Sequence, residues 1–238
     1  EIGDFVICLA FASPLPDVIN NVKNLSTRHN VIMPSVPVFG KNIFNKDFLK
    51  NNIDDIEKAY SLLCDEKSKQ VFENIIRFQI TGNLDYCFYC ETDKDEAFSI
   101  LNLFPEESFL DLGAYRGDTI KEFLHYANDY AKIVAVEPDK RTFKKLQAYC
   151  EGFTNCTTLN NAVWNESKEL FFDGNKGRGG SAKDNGESIF SVTVDELREK
   201  YGNFTYLNVD VEGAEKEMLE GSKTTYNVGG ISGGTSVN

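Results

Sequence analysis

The chain is poor in cations, in histidine and in long apolar runs, and each shortage narrows what it can be. Its 25 Lys and Arg stand against 37 Asp and Glu, a net charge of −12 over 238 residues. That balance argues against nucleic acid as a main partner, because phosphate binding is driven by clustered cations. No stretch approaches the roughly 18 to 20 apolar residues that span a bilayer. The apolar run from Phe5 to Ala12 follows Glu1 and Asp4 and lacks a basic leading segment, so it does not read as a signal peptide. The only histidines are His29 and His125; His125 shares a helical face with Glu122 and Asp129 and reads as solvated, which leaves acid–base work to carboxylates. Six cysteines follow no disulfide-scaffold spacing, so a reducing, cytoplasmic location is expected. Cys87 and Cys90 form a CxxC without a second pair to complete a tetrahedral site. If that stretch is a strand, its thiols point to opposite faces.

What is present suits a globular protein: 41% hydrophobic and 12% aromatic residues supply ample apolar surface to offset ordering entropy. Residues 1–103 read as a smaller α/β extension. Phe5 to Ala12 suits a buried strand, Val18, Ile19, Val22 and Leu25 recur at helical spacing, and Asn30 to Met33 suits a second strand. Helices are predicted over 45–64 and 68–80, ended by Gly82 and Asn83. No catalytic constellation appears in this region. From Glu106 onward strands and helices alternate: strands over 108–112, 132–136, 157–159 and 204–209, helices over 118–130, 140–150 and 194–201, with short strands over 169–172 and 189–192. Such alternation implies a parallel sheet with helices on both faces. The expected class is α/β.

Chemistry is written at the ends of those strands. Asp111 closes the first, and Gly113 and Gly117 bracket a turn into a helix that opens with Asp118 and Thr119. Small residues admit a ligand to the backbone, and a helix start offers free N–H donors. The spacing is GxxxG rather than the GxGxxG that wraps a dinucleotide pyrophosphate. An acid before the loop would repel a pyrophosphate and suits a ligand bearing an amine, which favours S-adenosylmethionine over NAD. Glu137 ends the second strand, 26 positions after Asp111, where an acid can accept from both ribose hydroxyls. Asn161 and Ala162 follow the third strand, where loop groups can meet an adenine edge. Asp210, Glu212 and Glu215 lie just past the fourth, on the edge where open α/β sheets bind ligands. Each feature has a plain structural counterpart: a tight turn, a helix-cap acid, a solvated edge. Their occurrence at successive strand ends is what favours function. The loop from Asp173 to Ser181, with Lys176 and Arg178 among four glycines, reads as a hairpin insertion, with a mobile lid as the alternative.

The segments around Phe109–Thr119 and Val134–Asp139, the Asn160–Val163 stretch and above all Leu207–Gly221 resemble the FkbM-type S-adenosylmethionine-dependent methyltransferases. The resemblance covers about Phe104 to Gly221; its specific part is the Asp-Val-Glu-Gly-Ala-Glu segment at 210–215. It implies a Rossmann-like class I sheet in residues 104–223, and methyl transfer to an oxygen of a sugar or other small metabolite. By position, Asp111, Gly113, Ala114, Gly117, Asp118 and Thr119 would line the methionine end of the cofactor. Glu137 would hold the ribose, Asn161 and Ala162 would border the adenine, and Asp210 and Glu212 would face the reacting centre. No metal is expected, since no histidine supplements the two carboxylates. The expected partner is a small-molecule acceptor, without nucleic acid or membrane; a homo-oligomer is left open. Residues 224–238 carry no charge and read as a disordered or non-native tail, so strands five to seven of such a sheet are expected to be missing and the fourth to be an exposed edge. A cofactor-binding module without turnover, and an NAD-dependent oxidoreductase, are the alternatives.

Overall fold

The computed structural model describes residues 5–11, 13, 15–34, 43–172, 187–211, 213–225 and 232–234. The chain divides into two compact units, residues 1–93 and 94–238. In the first unit, β1 (Val6–Cys8) and β2 (Asn30–Ile32) pair in parallel across α1 (Pro16–Ser26). The helical pattern predicted over 45–64 is broken in two, α2 (Lys46–Asn51) and α3 (Ile53–Ser61), with Asn52 between them. Asn45 caps α2 by accepting from the N–H groups of Asp47 and Phe48. After α4 (Glu66–Thr81), Gly82 takes a left-handed conformation and stops the helix. The next turn is α5 (Asp85–Phe88), continued by a bond from the Cys90 N–H to the Cys87 carbonyl, so this stretch is not the strand on which the two thiols would point to opposite faces. Burial pushes the Cys87 thiol up to about 11, which disfavours the thiolate that nucleophilic chemistry needs. Val31, Phe78 and Leu84 form the buried core of this unit.

The second unit begins with α6 (Lys94–Leu101). The division falls ten residues before the expected 103/104 boundary because α6 packs on the helix after the next strand. Phe98 stacks on Tyr126 at 3.9 Å, the Tyr126 hydroxyl donates to Asp95, and Lys94 pairs with Glu122. There follow β3 (Ser108–Leu112), α7 (Asp118–Ala127), β4 (Lys132–Val136), α8 (Lys140–Cys150) and β5 (Cys156–Leu159). Then come β6 (Ala162–Val163), β7 (Glu169–Phe172), β8 (Glu187–Val192), α9 (Val194–Tyr201), β9 (Tyr206–Val209), α10 (Glu215–Glu220) and β10 (Ser232–Gly234). The main sheet has the order β10-β9-β3-β4-β5, parallel throughout. Strands buried on both faces explain the near-continuous apolar runs. Leu110, Leu112, Val134, Val136, Leu207 and Val209 point to one face, against Val194 and Leu197 of α9 and Met218 of α10. Phe109, Ile133, Ala135 and Tyr206 point to the other, against α6, α7 and α8. This is the parallel α/β sheet with helices on both faces that the alternation implied, and its architecture is the class I methyltransferase-like one that the resemblance implied.

Three expectations are corrected. Residues 222–225 are built into the unit: Thr225 is 3% exposed, and Asp195 accepts from the N–H groups of Thr224 and Thr225 and from the Thr225 hydroxyl. Beyond it, β10 pairs with β9, so the fourth strand is not an edge. The stretch read as a loop at Ala162–Val163 is a strand, because it pairs with Ser191–Val192 some thirty residues on. The insertion loop at 173–181 lies outside the described residues.

Candidate functional site at the carboxyl ends of the sheet

The loop after β3 is held by backbone chemistry before any ligand is considered. The N–H groups of Gly113 and Ala114 both donate to the carbonyl of Val136, at 2.9 and 3.0 Å, which fixes the β3 tip against the β4 tip. Gly113 has φ +84°, and a Cβ placed there would lie 1.9 Å from the Asp210 carbonyl oxygen. Gly117 has φ +90°, and its Cβ would overlap the Tyr149 ring at 2.4 Å. The two glycines are therefore demanded by the protein's own packing as well as by ligand access. Between them Tyr115 sits at φ +47°, a left-handed conformation uncommon for a bulky residue and concentrated at functional loops. Its N–H donates to Glu137 Oε2 at 2.9 Å.

Glu137 is the electrostatic centre of the edge. It is 7% exposed, and its Oε1 accepts from the Asp139 N–H at 2.9 Å. Burial pushes its carboxyl up to about 7, against the opposing pull of the Asp139 and Tyr115 amides. A carboxylate has about four acceptor positions, so the two amides leave capacity for two hydroxyl donors. Asn160 Nδ2 donates to the carbonyls of Glu137 and Pro138, tying the β5 exit to the β4 exit. Asn161 Nδ2 donates to the Phe190 carbonyl.

The other expected residues separate into surface and interior. Asp118 is exposed in the first turn of α7, Thr119 and Asn161 are half-buried, and Asp210 is half-buried with its N–H donating to the Leu112 carbonyl at 2.8 Å. Ala114 and Ala162 are buried, at 0% and 5% exposure. Asp111 has no exposed surface: Oδ1 accepts from Asn208 Nδ2 at 2.9 Å, and Oδ2 accepts from the Thr119 hydroxyl. Burial pushes its carboxyl up to about 6, opposed by those two bonds. Glu212 lies outside the described residues. Sequence reasoning missed Tyr115, Asn160 and Asn208. The signals for the last two were an asparagine directly after a strand and one inside an otherwise apolar strand. Among the described residues, no three His, Cys, Asp or Glu side chains are grouped to hold a metal ion.

The comparisons with known proteins bear on this edge. The methyltransferase FkbM domain pattern matches residues 111–228, from the buried aspartate to past the Thr225 anchor. The crystal structure of methyltransferase FkbM from Methylobacillus flagellatus aligns with a TM-score of 0.68 at 14% identity. The alignment covers 92% of this chain and 60% of that one, so the chain spans less than two thirds of that relative's length. At that identity the likeness is one of fold. The YcgJ protein from Bacillus subtilis aligns at a TM-score of 0.27 and 15% identity over 47% of this chain and 34% of its own, too weak to carry argument. No curated protein matches by sequence.

Proposed function

Residues 111–228 belong to the FkbM methyltransferase family, and on that premise we propose that the chain transfers a methyl group from S-adenosylmethionine to a hydroxyl of a sugar or other small metabolite. The observation that carries the proposal is Glu137: a buried carboxylate at the β4 exit, oriented by two backbone N–H groups and with acceptor capacity left over. A ribose diol supplies the matching pair of donors. The donor set along the edge fits the rest of the cofactor. The 113–117 loop leads into the first turn of α7, whose cap Gly117 contributes no side-chain bond, so helix-start N–H groups and exposed Asp118 are offered to an amino-acid head.

When bound, S-adenosylmethionine supplies an activated methyl on a sulfonium, so the protein's share is alignment, water exclusion and one proton. Glu137 accepts from the ribose hydroxyls and fixes the cofactor's long axis. Asn161 and the buried Ala162 border the adenine end. Asp210, on the β9 tip beside the loop, takes the proton that the acceptor hydroxyl loses as its oxygen gains the methyl, with Glu212 as the second carboxylate of that segment. The acceptor is a small molecule; neither nucleic acid nor membrane is required, and among the described residues no helix is long and apolar enough to cross a membrane.

Calorimetric titration with S-adenosylhomocysteine tests the reading, with NAD and Glu137→Ala as controls. Saturable binding of the first ligand, lost in the variant and absent for NAD, is expected. A folded chain that binds NAD instead, or neither ligand, overturns it.

A further inference from the structure

Asp111 opens the segment that matches the family pattern, yet it has no surface from which to touch a ligand. Its two oxygens join three separate elements. Asn208, its cross-strand partner in register, stands on β9 two residues before Asp210. Thr119 stands in the first turn of α7, two residues after the loop ends at Gly117. A third constraint lies beside these: Gly113 packs without a side chain on the Asp210 carbonyl, and the Asp210 N–H donates to Leu112. Burying a carboxylate and an amide on the apolar sheet face of Phe109, Ala135 and Tyr206 is costly unless their bonds are made. The bonds made here run only to the loop side and to the acceptor side of the edge.

We propose that Asp111 is a positioning residue that fixes the 113–117 loop and the Asp210 strand tip at one separation, acting through Thr119 and Asn208 and not through contact with the cofactor. The inference rests on the methyltransferase reading for its consequence, but not for its geometry. It separates two roles that a charge–ligand contact would merge. Asp111→Asn keeps both bonds: its oxygen still accepts from Asn208, and its amide donates to a Thr119 hydroxyl turned to accept. A direct contact to a cationic head depends on charge and does not survive that change. Asp111→Leu deletes both bonds at similar volume, and Thr119→Val deletes one at a half-buried position, so a folded variant is secured even if the leucine form does not fold.

Amide hydrogen exchange on the ligand-free chain and calorimetry with S-adenosylhomocysteine decide the matter. In Asp111→Asn, exchange and affinity stay within about threefold of the parent. In Thr119→Val, and in Asp111→Leu where it folds, exchange rises about tenfold at both 113–117 and 208–210, stays unchanged in α8 and β5, and affinity falls by a similar factor. A tenfold or greater affinity loss in Asp111→Asn with exchange unchanged overturns the proposal in favour of a direct charged contact. Faster exchange confined to the altered turn, or spread evenly over the unit, also overturns it. If the parent binds no S-adenosylhomocysteine, the functional reading fails while the exchange pattern still decides whether the coupling exists.

Discussion

Glu137→Gln is the substitution in which the electrostatics of the edge can be read most directly. The side chain is 7% exposed, with one oxygen on the Tyr115 amide and the other on the Asp139 amide, each at 2.9 Å. Burial raises its carboxyl from the ordinary 4.5 to about 7. That difference corresponds to about 3 kcal/mol held against the ionised form in the folded state, an upper figure for a group with some remaining solvent. A raised acid contributes stability that is fully present below 4.5 and is lost as pH rises through 7. Glutamine does not titrate, so the variant lacks this contribution to the slope. It introduces a different defect: its NH2 meets one of the two backbone N–H donors, leaving that donor unsatisfied at about 1 to 3 kcal/mol. The parent is therefore the more stable protein near pH 5, and the gap closes by about 3 kcal/mol by pH 8. Urea unfolding at several pH values measures this; Trp164, the single tryptophan, packs within the second unit and reports on it. Hydroxyl donors favour the ionised form, so S-adenosylhomocysteine affinity rises with pH by up to about tenfold per unit below 7 in the parent, and not in the variant. Stability curves for parent and variant that run parallel across this range refute the assigned environment of Glu137.

Three further outcomes follow from the geometry. Gly113→Ala forces a Cβ to within 1.9 Å of the Asp210 carbonyl oxygen at a φ of +84°, and is expected to cost about 3 kcal/mol or more, read as a lowered urea midpoint. Asp195→Ala frees the segment at 222–225, costs about 2 kcal/mol, and exposes it to limited proteolysis; an unchanged digestion pattern counts against the anchor. Burial works against the Asp195 charge, but the bonds from Thr225 and Thr224 hold its carboxyl below the usual range, so this contribution is present above about 3.8 and fades as pH falls below it. Asp210→Asn is expected to leave S-adenosylhomocysteine affinity within a few-fold while lowering labelled methyl transfer to hydroxyl acceptors by about 10² to 10⁴; unimpaired transfer removes Asp210 from the role of base.

Local pattern carried much of this protein. β3 and β4 were legible as short apolar runs because a parallel strand covered on both faces has no polar side to show. The loop and Glu137 were legible because a tight strand-to-helix turn and an acid at a strand end are sequence-local features. Pairings across long separations were not. β6 exists only because Ser191 and Val192 lie beside it, β10 only because β9 does, and α6 belongs to the second unit through Tyr126 and Glu122. Asp111 marks the limit most clearly. An aspartate at the end of an apolar strand, next to a glycine turn, reads as a ligand contact on local grounds. Whether its carboxylate opens to a cleft or closes on the interior depends on Asn208, 97 residues away, and on which turn of α7 delivers Thr119. Chemical type and strand position are properties of the chain near one residue, while burial and hydrogen-bond partnership are properties of what folding brings against it.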